Sequence, residues 1–400
     1  MVTTSSAHLS TFQLNKRILS VVMFTFMVYL SIGLPLAVLP QLVHKELGFS
    51  SFMAGIVISV QYVATLSFRP KAGQLADSLG ARTVVLMGLA CCAMSGVLGI
   101  FAILFLSNPT VSIVLIILSR LFLGTGESFT STGATLWGMN LVDRSETSRV
   151  ISWNGVATYS AMAFGAPLGV YLDSKIPAYG FAVCTLLIAI LGFILAYRKP
   201  KIKVKVDTKI AFLKVASRVW IFGVALALGT VGFGVLSTFI TIYFAEQRWP
   251  NPAYALSVFG AGFVIIRLIF GQMIPKFGGI KVSMVSFVVE ALGLFLIWGG
   301  EHIGVVYAGA FLVGAGFSLV FPSLGVEAVK QVEAKNRGSA LGVYNAFLDI
   351  ALMFIGPMAG LLIPLIGIRD VYGVAGVITV FAVLLMAYLL YKTKPTVKNV

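Results

Sequence analysis

Seven ionisable side chains stand inside or at the ends of long apolar runs: Glu127, Glu290, Glu327 and Asp349, with Arg69, Arg120 and Arg267. A charge at a bilayer centre costs about 2.5–3.5 kcal/mol on insertion scales, so each needs a compensating role. Carboxylates in such a setting can carry protons, while arginines can tune them or hold an anionic group. All three histidines (His8, His44, His302) fall in the N-terminal tail or in loops, so carboxylates must carry any proton chemistry. No histidine-based metal site is supported within the runs, and neither a metal nor a cofactor is expected. Cys91, Cys92 and Cys184 form no CxxC pair and read as small packing residues.

Two faces concentrate the chemistry. Arg120, Gly124, Glu127 and Ser131 fall at i, i+4, i+7 and i+11, one side of a helix. Arg120 and Glu127 are then roughly 10 Å apart along the axis, within joint reach of a substrate or water. Glu127 reads as a proton acceptor, with Arg120 tuning it or binding an anion; an intrabundle charge pair is the alternative. Gly342, Asn345, Asp349, Gly356 and Gly360 share a second face. Asp349 there is either a coupling group with a partner across the molecule or a permanently protonated, hydrogen-bonded acid. Arg69 and Arg267 read mainly as snorkelling or capping side chains, and Glu327 as an interfacial partner of Lys330 one turn on. Tyr29, Asn154, Thr158, Ser237, Thr241, Tyr344 and Asn345 are the uncharged candidates for substrate contact.

The elements carrying these groups follow from composition. The 400 residues are 58% hydrophobic and 11% charged, against about 25% charged in ordinary soluble domains. A soluble enzyme, a disordered chain and a disulfide scaffold are therefore excluded in favour of a polytopic membrane protein. A ruler of about 20 apolar residues per crossing gives twelve helical spans: 18–42, 52–76, 83–106, 111–138, 149–171, 179–197, 219–245, 254–275, 281–299, 303–329, 339–366 and 371–391. None alternates as a β-barrel strand would. The first is too long for a cleaved signal peptide and should stay as an anchor. With both termini cytoplasmic, that side holds 22 basic residues and the other side four. The formal charge of +15 is thus a topological bias, with no nucleic-acid partner implied. Prolines 35, 40, 167, 322 and 357 should interrupt or bend spans 1, 5, 10 and 11.

The only long hydrophilic stretch, 198–218, divides the spans into halves at 1–197 and 219–400. Arg69, Gly73, Gln74 and Gly80 recur 198 residues later as Arg267, Gly271, Gln272 and Gly278. Gly124, Gly126 and Ser128 recur at a shift of 190 as Gly314, Gly316 and Ser318, and Asn154, Gly165 and Gly169 at a shift of 191 as Asn345, Gly356 and Gly360. Two parallel six-helix repeats with a site between them are an architecture of secondary transporters.

Gly73-Gln-Leu-Ala-Asp77-Ser-Leu-Gly80-Ala-Arg82 resembles the major facilitator superfamily signature between helices 2 and 3, and Arg120-Leu-Phe-Leu-Gly124-Thr-Gly126 its helix 4 motif. Gly165-Ala-Pro167-Leu-Gly169 is similar to the helix 5 motif of its antiporters, with Ala166 and a missing second terminal Gly as departures. Gly33–Pro40, Ser152–Gly155 and Phe321–Glu327 resemble the YfcJ/YhhS-type bacterial inner-membrane exporters. The resemblance spans essentially the whole chain. It implies an all-α fold of 12 transmembrane helices, helix 4 on a central cavity, and helix 9, with Glu290, at the periphery. It also implies a gate involving Gly73, Asp77, Gly80 and Arg82, with Arg69, Arg267, Gly165, Pro167 and Gly169. The second copy has Pro275 in place of Asp77, so this latch exists once. The expected activity is proton-coupled export of a small organic molecule by a monomer in the inner membrane. Uptake symport, facilitation and a non-transporting sensor stay open. With no P-loop and no catalytic Ser-His-Asp or Cys-His set, ATP is not the direct energy source and an enzyme is not expected.

Overall fold

The computed structural model describes residues 11–142, 146–176, 179–201, 212–333 and 337–393. His8, and Lys203, Lys205 and Lys209 of the basic segment, lie outside these. Twelve long helices carry the described chain. The first half holds α1 (Thr11–Gly33), α2 (Ser51–Leu79), α3 (Ala81–Leu104), α4 (Pro109–Asn140), α5 (Thr147–Lys175) and α6 (Gly180–Tyr197). The second holds α7 (Phe212–Glu246), α8 (Ala253–Phe270), α9 (Gly279–Gly299), α10 (Ile303–Lys330), α11 (Arg337–Ile366) and α12 (Ile368–Thr393). Eleven are long and apolar enough to cross a membrane. The exception, α5, has the length at 29 residues but spends it on Ser152, Asn154, Thr158, Tyr159 and Ser160. Large apolar side chains such as Leu365, Leu268 and Leu187 point outward, as a lipid-facing surface requires.

Helix ends follow local chemistry. Ser50 accepts from the Met53 N–H at the start of α2, and Asn108 accepts from Val111 at the start of α4, just before Pro109. The expected single span over 18–42 is corrected. Pro35 lacks an N–H, so α1 ends at Gly33. The chain turns and resumes as the short helix Leu39–Gln41 and the π-helical turn Leu42–Glu46. By contrast Pro167, Pro322 and Pro357 sit inside uninterrupted helices. The span expected over 254–275 also breaks, α8 stopping at Phe270 before the short helix Met273–Phe277.

The repeat is visible in packing. Contacts of α1 with α5, α2 with α4, α3 with α4 and α3 with α6 recur as α7 with α11, α8 with α10, α9 with α10 and α9 with α12. The turn glycines match as well, Gly80 at φ 89° and ψ 148° and Gly278 at φ 83° and ψ 153°. Both stand in a left-handed region that a side chain would strain. The two six-helix halves meet chiefly through α2 against α11 and α5 against α8.

Candidate functional site

Close backbone approach builds the first cluster. A Cβ on Gly124 would lie 2.0 Å from the Gln61 carbonyl oxygen, so only glycine lets α4 press against α2 at this level. One turn further on α4, Glu127 is 2% exposed and surrounded by neutral donors. Tyr29 Oη on α1 donates to Oε1 at 3.0 Å. Thr65 Oγ1 on α2 donates to Oε2 at 3.0 Å, and Gln61 Nε2 reaches the same oxygen at 3.5 Å. Thr65 also lies 3.1 Å from the carbonyls of Gln61 and Gly124, which compete for its one proton. The Gln61 Oε1 atom is buried with no donor among the described residues. Rotating that amide would present an acceptor to Glu127 in place of a donor, so one side chain suits either protonation state.

One turn beyond Thr65, Arg69 crosses to the other half. Its Nε donates to Asp349 Oδ2 at 2.8 Å and its Nη2 to Oδ1 at 3.0 Å, a two-point fork onto α11. Asp349 is 1% exposed. This corrects the expectation that Arg69 snorkels or caps carbonyls, and supplies the cross-molecule partner foreseen for Asp349. The Arg69–Asp349 pair lies within electrostatic reach of Glu127.

Nearer the end where α2 begins, the halves are locked together. Ser59 donates to the Leu352 carbonyl at 2.8 Å, Gln41 to the Thr241 carbonyl at 3.3 Å, and Gly55 packs on the backbone of Gly356. On the opposite interface Gly260 rests on Ala163.

Arg120 makes no hydrogen bond to Glu127 among the described residues, in keeping with the two turns of helix between them. All three of its guanidinium nitrogens lack hydrogen-bond partners among the described residues, and it faces a small cavity beside Ser31, Ser95, Ser119 and Thr185. Helical periodicity put both residues on one face but not at one depth. Arg82 donates to the Tyr197 carbonyl and lies over its ring, so it ties α3 to the end of α6. Asp77 is half-buried in the last turn of α2, and Gly73 has open space around it. Gly165 and Gly169 let α5 approach the broken end of α1, where a Cβ on Gly169 would lie 1.9 Å from the Leu34 carbonyl oxygen. Pro167 lies between them.

The uncharged candidates do not converge on one point. Thr25 donates to Asn154 at 2.7 Å, Tyr344 to the Phe321 carbonyl at 2.9 Å, and Ser237 to the Gly234 carbonyl at 3.3 Å. Each of these bonds lies within a single half, the first in 1–197 and the other two in 219–400. Thr241 Oγ1 and Asn345 Oδ1 are buried without partners among the described residues, and Thr158 is half-buried on α5. Glu290, on the helix expected at the periphery, is fully buried with its Oε1 against Gly232, and neither oxygen is hydrogen-bonded among the described residues. Glu327 meets Lys330 at 2.8 Å, as the spacing implied, and also accepts from the Gly279 N–H at the start of α9.

The repeat relates this polar cluster to an aromatic one. Gln61 and Thr65 correspond at 198 residues to Phe259 and Phe263, and Glu127 at 190 to Phe317. A Cβ on Gly314 would lie 1.9 Å from the Phe259 carbonyl, the counterpart of the contact between Gly124 and Gln61. Phe233 stacks on both Phe259 and Phe317 at 5.5 Å. Arg267 lies over Phe263 at 5.2 Å. Gln61 and Thr65 were missed as site residues, although Gln61, Thr65 and Arg69 at i, i+4 and i+8 spell a polar face within an apolar run.

The Major Facilitator Superfamily model matches residues 21–279 and 252–400. The chain is 46% identical over 373 residues to the MFS-type transporter YhhS of Escherichia coli K12, covering 93% of this chain and 92% of that protein. It is 47% identical over 368 residues to the MFS-type transporter BURPS1106A_3201 of Burkholderia pseudomallei, covering 92% and 90%. Both relatives are described as uncharacterised. The crystal structure of the human organic anion transporter MFSD10 (TETRAN) superposes with a TM-score of 0.69 at 17% identity, covering 93% of this chain and 99% of that one, a likeness of fold. With a polar cluster, a charged bridge between two repeated halves and these matches, the chain belongs to the major facilitator superfamily and is a membrane transporter.

Proposed function

We propose that the protein is a proton-coupled exporter of a small organic molecule, working as a monomer in a bacterial inner membrane by alternating access of its two halves. Residues 1–197 and 219–400 would rock about the Arg69–Asp349 bridge, joined by the cytoplasmic segment 198–218. The observation that carries this reading is Glu127, buried among three neutral donors and next to a charged pair joining the halves. Proton uptake at Glu127 removes one negative charge beside Arg69 and Asp349. That changes the electrostatic balance at the fork and so couples the protonation state to the movement of the halves. The locked end at Ser59, Gly55 and Gln41 is then the outward gate, closed while the opposite end faces the cytoplasm.

One inward proton brings about 2.3 kcal/mol per 100 mV, and about 1.4 kcal/mol per pH unit. At 100 mV and one pH unit together, these sustain a solute gradient of roughly 500-fold. The export direction rests on the Gly165–Gly169 motif. Everted vesicles challenged with a metabolite library test the reading. An imposed outward-directed proton gradient, with an acid lumen, should drive solute accumulation into the vesicles by the parent, and Glu127→Gln should abolish it while leaving solute counterflow intact. Full gradient-driven transport by both Glu127→Gln and Asp349→Asn would refute carboxylate coupling. Solute moving in the same direction as the proton would replace export by uptake symport.

A further inference from the structure

We infer that the transported molecule carries a carboxylate on an apolar or aromatic body, and that Arg267 is the residue that holds this carboxylate.

Arg69 and Arg267 occupy equivalent positions 198 residues apart, each on a helix that packs against the opposite half: α2 on α11, and α8 on α5. Arg69 spends Nε and Nη2 on the Asp349 carboxylate. In Arg267 the same two atoms, Nε and Nη2, are buried and have no hydrogen-bond partner among the described residues. The shift of 191 that maps Asn345 onto Asn154 maps Asp349 onto Thr158. The protein thus supplies the acid at one interface and a neutral, short side chain at the other.

A carboxylic acid can shed its charge by binding a proton, but a guanidinium cannot. Its buried donors need an acceptor, and a planar fork matches a carboxylate in two-point geometry. The surroundings give the class of the remainder. The guanidinium lies 5.2 Å over the Phe263 ring, and Tyr159 from the other half packs at 4.4 Å from Phe263. Phe317 meets Tyr159 edge-on at 5.8 Å and continues the aromatic wall to Phe233 and Phe259. Across from Arg267 stands Gly155, whose missing side chain leaves room: a Cβ there would come within 3.9 Å of both terminal nitrogens. Among the described residues the contacts here place no second cation, so a single negative charge satisfies the site.

The substrate class rests on the transporter reading, but its test does not require transport. The purified full chain in lipid nanodiscs is titrated calorimetrically with 2-naphthoate, and with 2-naphthamide and 2-naphthylmethylamine as neutral and cationic probes, against empty nanodiscs. Saturable binding of 2-naphthoate is expected, at least tenfold tighter than either other probe. Arg267→Gln should weaken it at least tenfold, and Arg267→Lys should restore only part because a point charge lacks the fork. Thr158→Asp should also abolish it, by supplying an internal carboxylate as Asp349 does for Arg69. That variant should unfold at a higher temperature than the parent, which separates site filling from misfolding. Equal affinity for 2-naphthoate and 2-naphthamide, no saturable binding of 2-naphthoate, or parental affinity in Arg267→Gln would overturn the inference. Loss of 2-naphthoate selectivity while vesicles keep proton-driven movement of another solute sinks this inference alone. Intact selectivity without any proton-driven transport sinks the proton-coupled reading instead.

Discussion

The two halves use one scaffold for opposite chemistry. In the first, α1, α2 and α4 bring Tyr29, Gln61, Thr65 and Glu127 together; in the second, α7, α8 and α10 bring Phe233, Phe259, Phe263 and Phe317 together. The backbone contacts underneath are nearly the same, with Gly124 on Gln61 and Gly314 on Phe259. Gly126 and Gly316 repeat the pattern against α3 and α9, where Cys92 corresponds to Glu290. Close helix approach through small residues is a packing requirement, and it holds in both copies. Side chains that line the junction are free to diverge, so one half became polar and the other an apolar wall. The interfaces diverge in the same way, with a complete fork at Arg69 and an incomplete one at Arg267.

Breaking the completed fork should have the largest effect. Arg69→Ala or Asp349→Ala leaves a buried charge unpaired and should lower stability by about 3–5 kcal/mol. The double variant Arg69→Met with Asp349→Leu should recover most of that loss, read by thermal unfolding of the purified protein. Equal losses in the single and double variants would mean that the pair does not act as a unit.

The shared scaffold makes a matched prediction. Gly124→Ala and Gly314→Ala each force a Cβ into a carbonyl and should cost about 1–3 kcal/mol, by similar amounts. A large difference between them would show that the halves differ in backbone packing as well as in chemistry. Smaller again is the single tie at Glu327, which accepts from the N-terminal N–H of α9 and pairs with the half-exposed Lys330. Glu327→Ala should cost about 1 kcal/mol as a lost helix-terminal acceptor. Lys330→Ala should cost less than about 0.5 kcal/mol, because an exposed ion pair is screened.

Much of this comparison is legible in the chain before folding. Apolar run length finds the spans because a bilayer core has a fixed thickness, and the recurring Arg, Gln and Gly positions find the halves. The end of α1 is not legible by run length, since residues 34–42 are nearly as apolar as a helix would be and only Pro35 and Pro40 mark the break. Glu127 and Asp349 stand out as charges where charge is costly. Their partners do not: Arg69 and Asp349 lie 280 residues apart, and no local pattern joins them. Arg120 and Glu127 share a face, and the seven residues between them set them about 10 Å apart in depth, a separation the sequence already gives. Gln61 and Thr65 look like ordinary polar residues until the carboxylate they serve is placed between them.

Glu127 as the group that gains and loses a proton is the claim on which the transport reading turns. Its most direct test is infrared difference spectroscopy of the purified protein in lipid across a pH titration. The carbonyl stretch of a protonated carboxylic acid should grow as pH falls in the parent and in Arg267→Gln. In Glu127→Gln that pH-dependent band should be absent. A band that titrates unchanged in Glu127→Gln but disappears in Asp349→Asn would place the proton on the bridge and contradict the account.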